Sequence, residues 1–149
     1  MNRVLVADDD ANIRLLLCRI SERCGFVTDA AADGLEAMKL LEKNRYTVAL
    51  LDLMMPKLSG YEVIEKLSGS PDRPRFIVVT AMTEEYVAKI APEQVDAIVR
   101  KPFDIDMLSA VICEAGGAMA KKDSETKLHG ERNDQGIEFQ PDDLTAGLS

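Results

Sequence analysis

Asp8, Asp9 and Asp10 stand together at the end of a short apolar run, Arg3-Val-Leu-Val-Ala7. Asp52 ends a second run, Thr47-Val-Ala-Leu-Leu51, Thr80 follows a third, Phe76-Ile-Val-Val79, and Lys101 comes just after a fourth, Ala97-Ile-Val99. Clustered carboxylates repel one another and stay ionised together only beside a cation. Mg²⁺ suits such a set, because it takes one or two carboxylates, keeps several waters and completes its octahedron with phosphate oxygens. A lysine ammonium adds a movable positive charge for a phosphoryl group, and the Thr80 hydroxyl adds a donor. A carboxylate such as that of Asp52 can itself act as a nucleophile and form an aspartyl phosphate. Each residue alone has an ordinary explanation. The aspartates can cap a helix, Asp52 can open a turn before Pro56, and Lys101-Pro102 and Thr80 signal little. Their common position past the ends of apolar runs is what joins them.

Asp9 and Asp52 lie 43 positions apart and Asp52 and Lys101 another 49, so only a fold can unite them. After the first run, Ile13, Leu16, Leu17, Ile20 and Cys24 recur at helical spacing, with Gly25 where a C-terminal cap belongs. Phe26 to Ala30 reads as a strand, and Asp33-Gly34 opens a helix with Leu35, Met38 and Leu41 on one face. Met54 to Gly60 reads as a loop, and Val63, Ile64 and Leu67 mark a short helix. Residues 83–91 are weakly helical and end at Ala91-Pro92, and Asp104 caps a last helix through Ile105, Leu108 and Ile112. Strand and helix thus alternate five times within residues 1–116. Strands apolar on both faces imply a parallel sheet covered on both sides, a doubly wound α/β domain. Ligands of such sheets bind at the carboxyl ends of the strands, where the polar residues stand.

Beyond residue 116 the pattern stops. Residues 117–149 hold nine apolar residues in 33, with four Lys/Arg and seven Asp/Glu. The reading is a polar, disordered tail, inert or carrying a docking patch at Ile137-Glu-Phe-Gln-Pro-Asp-Asp-Leu144. Overall, 26 acidic residues oppose 18 basic ones for a net charge of −8, and Trp is absent. That balance argues against direct nucleic-acid binding and anionic membranes. No apolar stretch is long enough to span a bilayer, and the start lacks a signal peptide's apolar region, so a cytoplasmic protein is expected. Cys18, Cys24 and Cys113 form no CxxC pair, and the odd count reads as small half-buried side chains in a reducing compartment. With His129 the sole histidine, a zinc site and a Ser-His-Asp triad are set aside.

Val4-Leu-Val-Ala-Asp-Asp-Asp10, Leu50-Leu-Asp-Leu-Met-Met-Pro56 with Gly60, Val79-Thr-Ala81 and Arg100-Lys-Pro-Phe103 together resemble the response-regulator receiver domain of two-component signalling, in its single-domain, chemotaxis-like form. The resemblance covers about residues 1–116. It implies a flavodoxin-like sheet of order 2-1-3-4-5. It implies that Asp52 accepts a phosphoryl group from a histidine kinase's phosphohistidine or from acetyl phosphate. Asp9, Asp52 and the Met54 backbone carbonyl would hold Mg²⁺, with Asp8 acting through a bound water. Lys101, the Thr80 hydroxyl and the Ala81 amide would contact the phosphoryl oxygens, and the Lys101-Pro102 bond would be cis. The domain would then catalyse only its own phosphorylation and dephosphorylation, and would switch the face of the fourth helix, fifth strand and fifth helix. Expected partners are a sensor histidine kinase, and a histidine phosphotransfer protein or a downstream effector.

Two departures from the family's pattern stand out. Ile98 occupies the fifth-strand position where the family often has an aromatic switch residue. Met54 and Met82, two positions beyond Asp52 and Thr80, cannot orient an attacking water, which implies a long-lived aspartyl phosphate. Two other readings compete. A haloacid-dehalogenase phosphatase also begins with a strand and Asp-x-Asp, but Asn12 stands where Thr or Val is usual and no cap domain fits. A pseudo-receiver would use the fold only to bind proteins, which the complete Asp8, Asp9, Asp52, Thr80 and Lys101 set argues against. A nucleotide-binding flavodoxin-like protein is rejected for want of a Gly-rich loop after the first strand.

Overall fold

Four consecutive apolar side chains, Val4 to Ala7, are fully buried in strand β1 (Arg3–Ala7). A strand sealed on both faces requires neighbours on both edges and helices above and below. In the computed structural model β1 pairs in parallel with β2 (Val27–Ala31) on one side and β3 (Val48–Leu51) on the other. β4 (Arg75–Thr80) and β5 (Ala97–Arg100) complete an all-parallel sheet of order 2-1-3-4-5, as expected. Helices α1 (Ala11–Arg23), α2 (Gly34–Lys43), α3 (Gly60–Leu67), α4 (Glu84–Val87) and α5 (Ile105–Ser124) alternate with the strands. The structure describes residues 2–124, with side chains described through Gly117. The expected tail therefore lies largely outside the described residues, as does His129, while the α5 backbone runs on past residue 116 to Ser124.

Period-two alternation along the strands divides the interior into two cores. Leu5, Ala7, Ala49, Leu51, Phe76 and Val78 point to one side, against Ala37 and Met38 of α2 and Val63 and Ile64 of α3. Val4, Val6, Leu50, Ile77 and Val79 point to the other, against Leu16, Leu17 and Ile20 of α1 and Leu108 and Ile112 of α5. Polar caps start the helices. Asp10 accepts from the amides of Asn12 and Ile13, and Asp33 accepts from that of Glu36. Ser59 and Glu62 form a reciprocal capping box, and Asp104 accepts from the Met107 amide at 2.9 Å. Gly25 ends α1 at φ +94°, a conformation that side chains resist.

Three expectations need correction. Leu35 is 46% exposed instead of sharing the buried face of Met38, because the buried stripe of α2 runs through Gly34, Ala37 and Met38 and Leu35 falls to one side of it. The helical region after β4 is only the four residues of α4, followed by a 3₁₀ turn at Pro92–Gln94; Pro92 cannot continue an α-helix. Most consequentially, Cys24 and Cys113 are joined in a disulfide, leaving Cys18 free. Cys24 caps α1 and Cys113 lies on α5, and the packing of these helices brings their Cα atoms to 5.3 Å. An odd count did not prevent one pair from forming.

The edge strand β2 is tied down by a polar cluster. Asp29 accepts from Arg3 at 2.6 Å and from the Tyr46 hydroxyl at 2.7 Å. Burial and the neighbouring Asp29 carboxylate push the Tyr46 hydroxyl up to about 12. Burial of Asp29 opposes its ionisation, but the Tyr46 and Arg3 bonds outweigh it and hold its carboxyl below the usual range. A depressed folded value means that this stabilisation is complete above the unfolded value and is lost as pH falls through the folded one. Asp29→Asn should therefore cost about 1 kcal/mol at neutral pH and progressively less as pH falls below the usual carboxylate range, measured by urea unfolding of both chains across that range.

Candidate functional site: the acidic pocket at the carboxyl edge

The backbone ladder continues one step past three strands and sets the height of the site. The Asp8 amide donates to the Ala31 carbonyl at 3.1 Å, the Asp52 amide to Ala7 at 3.0 Å and the Lys101 amide to Thr80 at 2.8 Å. Asp8, Asp52 and Lys101 therefore leave the sheet at one level, Asp8 and Asp52 from the adjacent β1 and β3 and Lys101 from the edge strand β5. Gly60 lets the following loop close over them. A Cβ there would fall 2.3 Å from the Asp52 carbonyl oxygen and 2.9 Å from the Leu53 Cα, which leaves no space for any side chain. Sequence reasoning noticed Gly60 only as part of a motif, since a close approach between distant segments leaves no trace in local pattern.

Lys101 is the hub. Its Nζ donates to Asp8 Oδ2 at 2.8 Å and to Asp52 Oδ2 at 3.0 Å. Asp8 is 1% exposed and Asp52 7%, while Asp9 faces solvent. Asp8 Oδ1 also accepts from the Asp10 amide at 2.9 Å, and Asp52 Oδ1 from the Met54 amide at 3.2 Å. Burial raises the Asp8 carboxyl above its ordinary range, against the pull of the Lys101 bond and the Asp10 amide. Burial likewise disfavours the Lys101 ammonium, but the two carboxylates outweigh it and hold its value above that of a free lysine. Arg14, which sequence reasoning missed, fixes the loop by donating to the Asp8 carbonyl at 2.7 Å.

Asp8, Asp9 and Asp52 each offer a carboxylate oxygen, and these lie within 4.8 Å of one another. Three carboxylates around one ammonium leave an excess of negative charge, and the donors are all oxygen. That chemistry fits a hard divalent cation such as Mg²⁺ and not a soft one. Thr80 is fully buried, and its Oγ1 accepts from the Met82 amide at 3.2 Å. It shares with Asp52, Met54, Ala81, Met82 and Tyr86 a cleft of about 240 Å³. The Lys101-Pro102 bond is cis. All sequence-selected residues thus meet at one edge, except that Asp10 serves as the α1 cap.

Ile98 of β5 is 38% exposed and presents no aromatic ring. An aromatic side chain reaches the cleft from another element: Tyr86 of α4, whose carbonyl accepts from the Tyr61 hydroxyl of α3. Lys89 Nζ lies 5.1 Å from the centre of the Tyr86 ring. Nothing in the weak helical pattern of residues 83–91 singled this tyrosine out.

A parallel sheet of this order, with an aspartate pair, a lone aspartate and a lysine at its carboxyl edge, is the architecture of a receiver-type signalling domain. The family model for the response regulator receiver domain matches residues 4–113, and the chain belongs to that family. It is 33% identical over 106 residues to sporulation initiation phosphotransferase F of Bacillus subtilis, covering 70% of this chain and 85% of that protein. It is 37% identical over 110 residues to the response regulator MprA of a Mycobacterium species, covering 72% of this chain but only 47% of MprA, about half its length. Among solved structures, the receiver domain of the Francisella response regulator 1452 superposes with a TM-score of 0.72 at 31% identity, covering 79% of this chain and 98% of that one. The Thermotoga maritima response regulator TrrA, solved in complex with Mg²⁺-BeF, gives 0.69 at 32% identity, covering 77% and 99%. Receiver domains are signalling domains of two-component systems and not conventional enzymes.

If Lys101 holds two buried carboxylates together, its removal leaves them facing each other uncompensated. Lys101→Ala should destabilise the fold by about 3 kcal/mol in the absence of divalent cations. Asp8→Asn added to that variant should recover part of the loss, giving a non-additive double-mutant cycle in urea unfolding.

Proposed function

We propose that Asp52 is the phosphoacceptor of a two-component response regulator, taking a phosphoryl group from the phosphohistidine of a sensor histidine kinase or from acetyl phosphate. The observation that carries this reading is the Lys101 ammonium held 3.0 Å from Asp52 Oδ2 at the mouth of an oxygen-lined acidic pocket. A relative named as a phosphotransferase and a neighbour solved with Mg²⁺-BeF support it. Asp9, Asp52 and the Met54 carbonyl would hold Mg²⁺, and Asp8 would act through a bound water. When bound, Mg²⁺ supplies positive charge that offsets the carboxylates and the phosphoryl oxygens.

An Asp52 carboxylate oxygen attacks phosphorus in line as the bond from phosphorus to the donor's imidazole nitrogen breaks, and that nitrogen leaves with the electron pair. Lys101 exchanges a carboxylate for a phosphoryl oxygen, the Thr80 hydroxyl turns from the Met82 amide to donate to another, and the Ala81 amide donates as well. Little else is required, because phosphoryl transfer depends mainly on positioning and charge. The chain catalyses only its own phosphorylation and dephosphorylation. Met54 and Met82 border the cleft and offer no group to orient a hydrolytic water, so the aspartyl phosphate is long-lived.

Phosphorylation shifts a two-state equilibrium on the face of α4, β5 and α5. Half-exposed Tyr86, Ile98 and Met107 give that face an apolar surface for a protein partner, an effector or a histidine phosphotransfer protein. Residues 1–116 act as the phosphoacceptor unit and 117–149 as an appended segment. No helix among the described residues is long and apolar enough to cross a membrane, and we assign the chain to the cytoplasm, without direct nucleic-acid binding.

Intact mass after incubation with acetyl phosphate and Mg²⁺ tests the reading. One added phosphoryl group is expected, absent from Asp52→Asn and from a chelator control, and persisting after the donor is removed. Addition to the Asp52→Asn variant would contradict the assignment, and rapid loss of the group from wild type would contradict the lifetime.

A further inference from the structure

At the opposite edge of the sheet, below the amino ends of β3 and β4, a cleft of about 410 Å³ opens beside Ala115 of α5. In a chain of net charge −8 its lining is basic: Arg45, Arg73 and Arg75 face a single aspartate, Asp72, over a floor that includes Tyr46 and Ala115. The three guanidiniums are unequally engaged. Arg73 is held, donating to the Pro74 and Glu93 carbonyls, meeting Asp96 at 3.5 Å and lying over the Phe76 ring at 5.4 Å. Arg45 meets Asp72 at 3.5 Å with both side chains largely exposed, a contact worth little in water. The exposed Arg75 side chain makes no hydrogen bond or ion pair among the described residues.

We propose that this cleft is the docking site of the chain's own acidic segment, residues 137–144, Ile-Glu-Phe-Gln-Pro-Asp-Asp-Leu. Charge complementarity is the first argument. From residue 133 to 149 the sequence holds Asp134, Glu138, Asp142 and Asp143 and no lysine or arginine. A guanidinium fork binds a carboxylate through two parallel hydrogen bonds, and Arg75 is free to offer one. Ile137, Phe139 and Leu144 supply apolar contacts for the floor.

Place is the second argument. Ala115 of α5 lines the cleft, and α5 ends at Ser124, nine residues later, or roughly 14 Å further along the helix. Fourteen residues separate Ser124 from Glu138, a length that can span up to about 46 Å, so the segment reaches back to the cleft. The tether raises the local concentration of the segment to the millimolar range, which makes a contact of modest affinity well occupied. The carboxyl edge of the sheet, where Asp8, Asp9 and Asp52 cluster, repels the same segment.

The full chain labelled with ¹⁵N tests this, with the backbone amides and arginine Nε–H groups of the cleft as reporters. Neutralising the segment by Glu138→Gln, Asp142→Asn and Asp143→Asn should shift the signals of Arg45, Thr47, Arg73 and Arg75 and leave those around Asp52 in place. Arg75→Glu should in turn move the amides of Phe139, Gln140 and Leu144 toward their values in the neutralised chain. Salt near about 0.5 M should do the same to wild type, since its screening length is only a few ångströms. Unchanged cleft signals would overturn the proposal, as would shifts centred on another surface. Shifts that grow with protein concentration would overturn it in favour of a second copy as the occupant.

Discussion

Two carboxylates buried side by side cannot both stay ionised without a cation between them, and Lys101 stands there, 2.8 Å from Asp8 and 3.0 Å from Asp52. The arrangement of the whole carboxyl edge follows from that constraint. Asp8 and Asp52 leave adjacent strands and Lys101 leaves the strand at the far edge of the sheet, so the bridge spans β1, β3, β4 and β5. It is also provisional by chemistry. An ammonium shared by two carboxylates can give up one of them to a more highly charged oxygen without leaving the pocket. A group that holds the resting site together is thus the same group that responds when the charge at Asp52 changes.

What makes the edge rigid enough for this is the alternation of apolar side chains in β1, β3 and β4, which face two separate helical layers. Neither layer can slide without breaking the register of the other, because each strand contributes to both. The backbone bonds from Asp8, Asp52 and Lys101 to Ala31, Ala7 and Thr80 then extend that register into the site itself. By contrast, α4 is four residues long, fully buries none of its side chains and is held by the half-buried Val87, by turn bonds and by Tyr61. The molecule therefore pairs a fixed reacting edge with one lightly held helix next to it.

The sheet and the acidic pocket were legible in the sequence because both follow from local text: runs such as Val48 to Leu51 are sealed on both faces, and Asp8, Asp52 and Thr80 stand at the ends of such runs, while Lys101 follows the half-exposed β5. The brevity of α4 was half legible, through Pro92. Contacts between distant segments were not. Cys24 and Cys113 are 89 positions apart and become neighbours only when α1 packs on α5. Gly60 and Arg14 act through backbone groups of other loops, and Tyr86 reaches the cleft from a helix too short to show a period. Leu35 fits a helical stripe but lies beside the one that α2 buries, through Gly34, Ala37 and Met38. The arginine-lined cleft draws its residues from two loops, the start of β4 and α5, which share no motif.

The measurement that bears most directly on the account is chemical trapping of the acyl phosphate. Borohydride reduces a phosphorylated aspartate to the corresponding alcohol, and peptide mass mapping then names the residue. After incubation with acetyl phosphate and Mg²⁺, the account predicts reduction at Asp52 alone, with Asp8 and Asp9 intact. Reduction at Asp8 or Asp9, or none at Asp52 in a chain whose intact mass has risen by one phosphoryl group, would contradict it.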